Sequence, residues 1–110
     1  MKEETSIQNS IKIALSKKGC IVHRANVGEF FTLDGRRVHL GVEGHSDLYG
    51  HRSDGQAFYI EVKTARGTPS EKQKTFLIAM KNSGARAGIA RNADDALKIV
   101  FSEVKGESQK

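Results

Sequence analysis

The residues in this chain best suited to chemistry are Asp47, Glu61 and Lys63. Asp47 opens the apolar run Leu48-Tyr49-Gly50, and Glu61 and Lys63 interrupt the run Phe58-Tyr59-Ile60-Glu61-Val62-Lys63-Thr64. A charge on a half-buried strand costs free energy unless it is paired or bound to a metal. The two runs are separated by a short loop that Gly55 helps to close. A turn centred near Asp54 pairs the strands so that Asp47 stands directly opposite Glu61. Opposed residues on antiparallel strands bring their Cβ atoms to ~4.5–5.5 Å, where two carboxylates repel. A divalent cation between them removes that repulsion. Side chains alternate along a strand, so Lys63 shares the face of Glu61 while Leu48, Ile60 and Val62 point to the buried side. A slip of one residue would undo this register. Two carboxylates completed by waters and a backbone carbonyl suit the hard cations Mg²⁺ and Mn²⁺. At a phosphodiester such a cation polarises the phosphoryl oxygen and acidifies an attacking water, while a lysine orients that water or stabilises charge on phosphorus. Glu-x-Lys alone is weak evidence, because alternating charge is routine on an exposed strand. The surrounding elements have to discriminate.

The elements follow from periodicity. Ile7, Ile11, Ala14 and Leu15 predict a first helix from Glu3 to Lys18, terminated at Gly19. Glu4 and Gln8 lie on or beside its apolar stripe, so Glu4 is expected to point toward the rest of the protein. A glutamate there also suits the positive end of the helix dipole, and the sequence alone favours that simpler use. Cys20 to Val27 read as a strand. Phe30 to Leu33 and Arg36 to Leu40 flank Asp34-Gly35, a strong hairpin signal. This hairpin, with Arg36 and Arg37 just past its tip, is a DNA-contacting arm, a dimer contact or a solvated loop. After the acid-bearing pair, Thr68 as N-cap, Pro69 at the first helical position and Glu71 at the third predict a capping box. The helix it opens runs through Phe76, Leu77 and Met80 to Gly84, with the amide of Gln73 facing the sheet. Ala87 to Arg91 form a short strand, and Asn92 caps a last helix with the stripe Ala93, Ala96, Leu97, Val100 and Phe101. The expected fold is α/β: a mixed central sheet flanked by helices, with an inserted β-hairpin.

Bulk properties agree with one small domain. The chain has 110 residues, 37% hydrophobic and 28% charged, which suits a single folded core. Residues 1–105 form the expected domain and 106–110 a frayed tail. The formal net charge of +5 favours phosphate-rich partners. By position, Arg24, Arg66, Lys72 and Lys74 are candidate phosphate contacts, and so is His45; a solvated surface is the alternative for each. The single cysteine, Cys20, excludes an intrachain disulfide and a cysteine-based zinc site. No His-x-x-x-His pair marks a helical zinc site. No apolar run reaches the ~18–20 residues of a membrane span and no signal peptide is evident, so a cytoplasmic location is expected.

Gly44-His45-Ser46-Asp47, Glu61-Val62-Lys63 and Gln73 resemble the motifs of the PD-(D/E)XK nuclease superfamily. More narrowly, Glu4-Thr5-x-Ile7-Gln8, Arg24-Ala25-Asn26-Val27-Gly28 and Ser70-Glu71-x-Gln73-x-x-Phe76 resemble a stand-alone VRR-NUC domain of the phage and bacterial type. Ser46 stands where the superfamily's name has a proline, which removes no ligand. The resemblance implies a restriction-endonuclease-like core and cleavage of DNA dependent on Mg²⁺ or Mn²⁺, with no nucleotide cofactor. It implies that Asp47, Glu61 and the Val62 carbonyl hold the metal; Glu4, arriving from the first helix, is placed to hold it through a water. Lys63 would be catalytic, with Glu4 and Gln73 in support. Small members are similar to Holliday-junction resolvases, homodimers acting on branched DNA; Phe30, Phe31 and Leu33 are the expected part of such a dimer contact. A DNA-binding or partner-activated subunit without independent cleavage is the alternative.

Overall fold

The computed structural model describes residues 3–25 and 28–102, with side chains for all of these except residues 28–30 and 38–40. Nine elements follow in the order α1 (Glu4–Lys17), β1 (Ile21–Arg24), β2 (Gly28–Phe31), β3 (Arg37–Leu40), β4 (Leu48–His51), β5 (Ala57–Val62), α2 (Glu71–Asn82), β6 (Arg86–Ala90) and α3 (Ala93–Phe101). This is the order expected from periodicity. The end of the first predicted strand, Asn26 and Val27, and the predicted tail at 106–110 lie outside the described residues.

The main sheet has the order β1-β4-β5-β6. β1 pairs antiparallel with β4, β4 antiparallel with β5, and β5 parallel with β6, so the sheet is mixed. Alternation along the strands separates its faces. Leu48, Phe58, Ile60 and Val62 point to one side, where Ile7, Ile11 and Leu15 of α1 and Ala96 and Val100 of α3 complete the core. Cys20 joins this cluster, and burial pushes its thiol pKa upward. Full burial of such aliphatic side chains contributes roughly 1.5–3 kcal/mol each, which makes this the main source of cohesion. α2 covers the opposite face, over β5 and β6, where Phe76 meets Tyr59 and His45.

Both hairpins use one device. In each, the sequence x-Asp-Gly forms a three-residue loop whose glycine takes a positive φ, 87° at Gly35 and 90° at Gly55. The β2–β3 loop is closed by Thr32 N–H donating to Arg36 O (2.8 Å), the β4–β5 loop by Arg52 N–H donating to Gln56 O (2.9 Å). β2 and β3 form a separate two-stranded sheet, with Phe31 68% exposed and Leu33 fully exposed near its tip. The side chain of Phe30, the third residue of the expected dimer contact, is outside the described set.

The start of α2 differs from expectation. Ser70, not Thr68, is the N-cap, and Gln73, not Glu71, occupies the third helical position. Thr68-Pro69-Ser70-Glu71 and Ser70-Glu71-Lys72-Gln73 both match the capping-box pattern, one displaced by two residues from the other. The later one closes both bonds: Gln73 N–H donates to Ser70 Oγ (3.1 Å) and Ser70 N–H donates to Gln73 Oε1 (2.8 Å). The last helix begins as expected, with Asn92 Oδ1 accepting from Asp95 N–H at 2.8 Å. Among the described residues no helix is long and apolar enough to cross a membrane.

Candidate active site

The β4–β5 ladder has the register inferred from the sequence. Leu48 pairs with Ile60, Tyr49 with Tyr59 and Gly50 with Phe58, so the next position along brings Asp47 to Glu61. Asp47 lies just outside the ladder, and its position is fixed from several directions. Its carbonyl accepts from Ala25 N–H (2.9 Å), which ties it to the end of β1. Its Oδ2 accepts from Val62 N–H at 2.8 Å. The preceding Ser46 is buried and its hydroxyl donates to Leu48 O at 2.9 Å. The approach to Asp47 is fixed against α2: Gly44 has φ +84°, and a Cβ there would stand 2.6 Å from Lys72 O. Only glycine allows the loop to lie so close to the helix backbone.

Glu61 is the buried member of the pair, with 1% exposure. Its Oε2 lies 3.3 Å from Lys63 Nζ, but its Oε1, fully enclosed, has no hydrogen-bond partner. Burial pushes its carboxyl pKa from 4.5 up to about 7; the charge of Asp47 pushes in the same direction, and Lys63 opposes both. An unsatisfied buried polar atom costs about 1–3 kcal/mol, and more when charged. The folded chain therefore holds an electrostatic deficit where two carboxylates meet. A hard cation fits it: the donor set is oxygen only, one carboxylate oxygen has no partner, and the two acids repel each other. Among the described residues no third His, Cys, Asp or Glu joins the pair to make a metal-binding group. Lys63 is on the same face as Glu61, its side chain 15% exposed.

Other residues singled out from the sequence are dispersed. Glu4 is exposed at the start of α1, a helix that packs on the core face of the sheet rather than on the face bearing Glu61. The inward direction expected from its helical stripe does not hold; the stripe begins with Ile7 and Gln8, one turn later. Gln8, not Glu4, is the buried polar residue of α1, and its Oε1 accepts from Arg24 Nε at 3.0 Å. Gln73 is half-buried and turns its amide oxygen back to the helix cap rather than toward the carboxylates. Val62 meets Asp47 through its N–H. His45 lies tilted against Phe76 with ring centroids 4.5 Å apart, meets Tyr49 and Tyr59 edge-on, and keeps Nδ1 at 2.8 Å from Ser46 O, so it helps to fasten the loop before Asp47.

The candidate phosphate contacts have mixed surroundings. Lys72 is paired with Glu43 (2.5 Å), Lys74 with Glu71 (3.1 Å) and Arg36 with Asp34 (3.3 Å). Arg37 is exposed on β3, and Arg66 is exposed on the loop that follows Lys63. Among the arginines not marked by any motif, Arg52 and Arg91 reach distant backbone: Arg52 Nη1 donates to Val100 O, and Arg91 Nη1 donates to the carbonyls of the loop after Lys63. No local signal distinguishes them from solvated arginines, since their acceptors lie 48 and 24–27 residues away along the chain.

No protein-family model and no curated protein matches the chain. Among solved structures, a chain described as a VRR_NUC domain superposes with a TM-score of 0.64 at 19% identity. The superposition covers 90% of this chain and 95% of the other. Nearly the whole of each chain takes part, so the likeness extends beyond a shared hairpin. The chain has the fold of a VRR_NUC domain.

Proposed function

We propose that this protein is an endonuclease of the PD-(D/E)XK superfamily, dependent on Mg²⁺ or Mn²⁺, that hydrolyses phosphodiester bonds in branched DNA such as four-way junctions or flaps. The observation that carries the reading is the Asp47–Glu61 pair, with Lys63 beside it and one buried carboxylate oxygen lacking a partner. The likeness in fold to a VRR_NUC domain supports it. Asp47 and Glu61 would hold the cation, with the Val62 carbonyl as a further ligand. When bound, the cation polarises a phosphoryl oxygen and lowers the pKa of an attacking water. Lys63 orients that water and stabilises charge developing on the phosphoryl oxygens. Arg24, Arg36, Arg37, His45, Arg66, Lys72 and Lys74 are the proposed DNA contacts, and the chain acts in the cytoplasm of a bacterium or of a phage-infected host. Two copies, joined in part through Phe30, Phe31 and Leu33, would set two sites against opposed strands.

A second reading is favoured by a specific observation. Among the described residues Glu4 joins no metal-binding group with the pair, and the Gln73 amide oxygen caps its own helix. A chain whose site is completed only on a partner protein would look the same. Purified protein incubated with labelled four-way junctions, flaps and duplex, in Mn²⁺ or in EDTA, separates the two. Metal-dependent product from the isolated chain supports the endonuclease. Absence of product from every substrate would sink it in favour of the partner-activated subunit.

A further inference from the structure

Arg91 follows the last residue of β6, immediately before the Asn92 cap of α3, and its side chain is half-buried. Nη1 reaches the loop between β5 and α2, where it donates to Thr64 O at 2.6 Å and Gly67 O at 2.7 Å, with Ala65 O at 3.4 Å. The residue is itself secured, since its backbone N–H donates to Asp95 Oδ2 at 2.9 Å. The loop it grips has no regular structure and is closed on itself by Gly67 N–H donating to Thr64 O at 3.1 Å.

This loop lies along Lys63. A Cβ built on Gly67 would stand 3.4 Å from Lys63 Cδ and 3.5 Å from Lys63 Cβ, so the Gly67 backbone flanks the lysine's aliphatic stem. The Lys63 backbone is held from the same strand, its N–H donating to Ala90 O at 3.1 Å. Lysine has a flexible four-carbon stem ending in a point charge, so its ammonium is placed only as well as its stem is packed. The end of β6 thus holds Lys63 twice, by its backbone through Ala90 and along its stem through the loop on Arg91.

We infer that Arg91 is a positioning residue, which fixes the Lys63 ammonium beside the Asp47–Glu61 carboxylates by clamping the carbonyls of the 64–67 loop. The consequence for turnover rests on the proposed nuclease activity; the consequence for the lysine does not. A planar guanidinium, always charged and presenting several donors, suits a nest of converging carbonyls better than an ammonium does.

The test uses Arg91→Met and Arg91→Lys in the full chain. Two things are read: cleavage kinetics in Mn²⁺, and the side-chain NMR signal of the Lys63 ammonium in ¹⁵N-lysine-labelled protein, assigned with Lys63→Met. In Arg91→Met, kcat should fall about 10- to 100-fold, the range expected when a reacting group is misplaced by an ångström. KM for DNA should stay within about twofold, because the loss is in the transition state rather than in binding. The Lys63 signal should broaden or move toward that of the solvent-exposed lysines, the rise in melting temperature caused by Mn²⁺ should be retained, and Arg91→Lys should recover part of kcat. An unchanged Lys63 signal overturns the inference, as does a fall in kcat accounted for by a smaller folded fraction. If the wild type cleaves nothing, the nuclease reading fails and the Lys63 signal alone decides the role of Arg91. If Arg91→Met does not fold, Arg91→Lys is judged by the same two readouts.

Discussion

Replacing Glu61 with glutamine should make the folded chain more stable at pH 8, although it removes a buried, motif-bearing residue. The Glu61 carboxyl is enclosed, faces Asp47 and has one oxygen without a partner, which raises its pKa from 4.5 to about 7 in the folded state. Below pH 4.5 the group is protonated whether the chain is folded or not. Between pH 4.5 and about 7 the unfolded chain releases the proton while the folded chain keeps it, so the folded state binds more protons and stability falls as pH rises. The stabilisation is fully present below the unfolded value and lost by the time the folded value is passed. Each pKa unit corresponds to about 1.4 kcal/mol, so the loss is on the order of 3 kcal/mol. Glutamine mimics the protonated acid at all pH values. The difference in stability between Glu61→Gln and wild type should therefore be near zero at pH 4 and reach about 3 kcal/mol in favour of the variant at pH 8. For a domain of this size that is roughly a 10 °C gain in melting temperature. Taking the difference cancels histidines and carboxylates common to both chains. Urea unfolding across pH 4 to 8, without divalent cation, measures it. Saturating Mn²⁺ should then raise the wild-type melting temperature at pH 8 and have little effect on the variant. A flat difference curve, or a variant less stable than wild type at pH 8, would refute the electrostatic account of the pair.

Three further outcomes are expected. Asp47→Ala and Lys63→Ala should each abolish metal-dependent cleavage while leaving circular dichroism and DNA retention largely intact, and wild-type turnover in either removes that residue from the proposed mechanism. Gly44→Ala should destabilise the chain by about 1–3 kcal/mol, since the new methyl meets Lys72 O at 2.6 Å in a backbone of φ +84°; calorimetry checks this, and an unchanged melting temperature contradicts the close approach. Light scattering of the free protein should give twice 12.1 kDa, and a monomer at all concentrations refutes the dimer.

How far the sequence could be read depended on how local the determining interactions are. The x-Asp-Gly loops, the Gly19 and Gly84 helix ends and the Asn92 cap are settled by residues within a few positions of one another, and each was legible. So was the face-to-face placement of Asp47 and Glu61, because a short hairpin with a known turn has little freedom of register. The sequence places the cap of α2 two residues early because two overlapping boxes satisfy the same pattern, and the folded chain closes the later one. That shift matters for the site, since it turns Gln73 from a free amide on the sheet side into half of a capping box.

The helix-borne residues expose the deeper limit. Helical spacing places Glu4 near the stripe of Ile7, Ile11 and Leu15, but that stripe faces the α3 side of the sheet while Glu61 and Lys63 project from the α2 side. Periodicity says which face of a helix is buried; it says nothing of which face of the sheet the helix covers. Arg91 shows the converse case. It has no periodic or motif signature, and its importance comes from the parallel pairing that places the end of β6 beside the end of β5. Both carboxylates and the lysine lie on one hairpin, so local rules reach them. The contacts that hold the lysine from β6 arrive across a longer connection. For that reason the Arg91 variants are the more searching test: they probe contacts that only the tertiary fold creates.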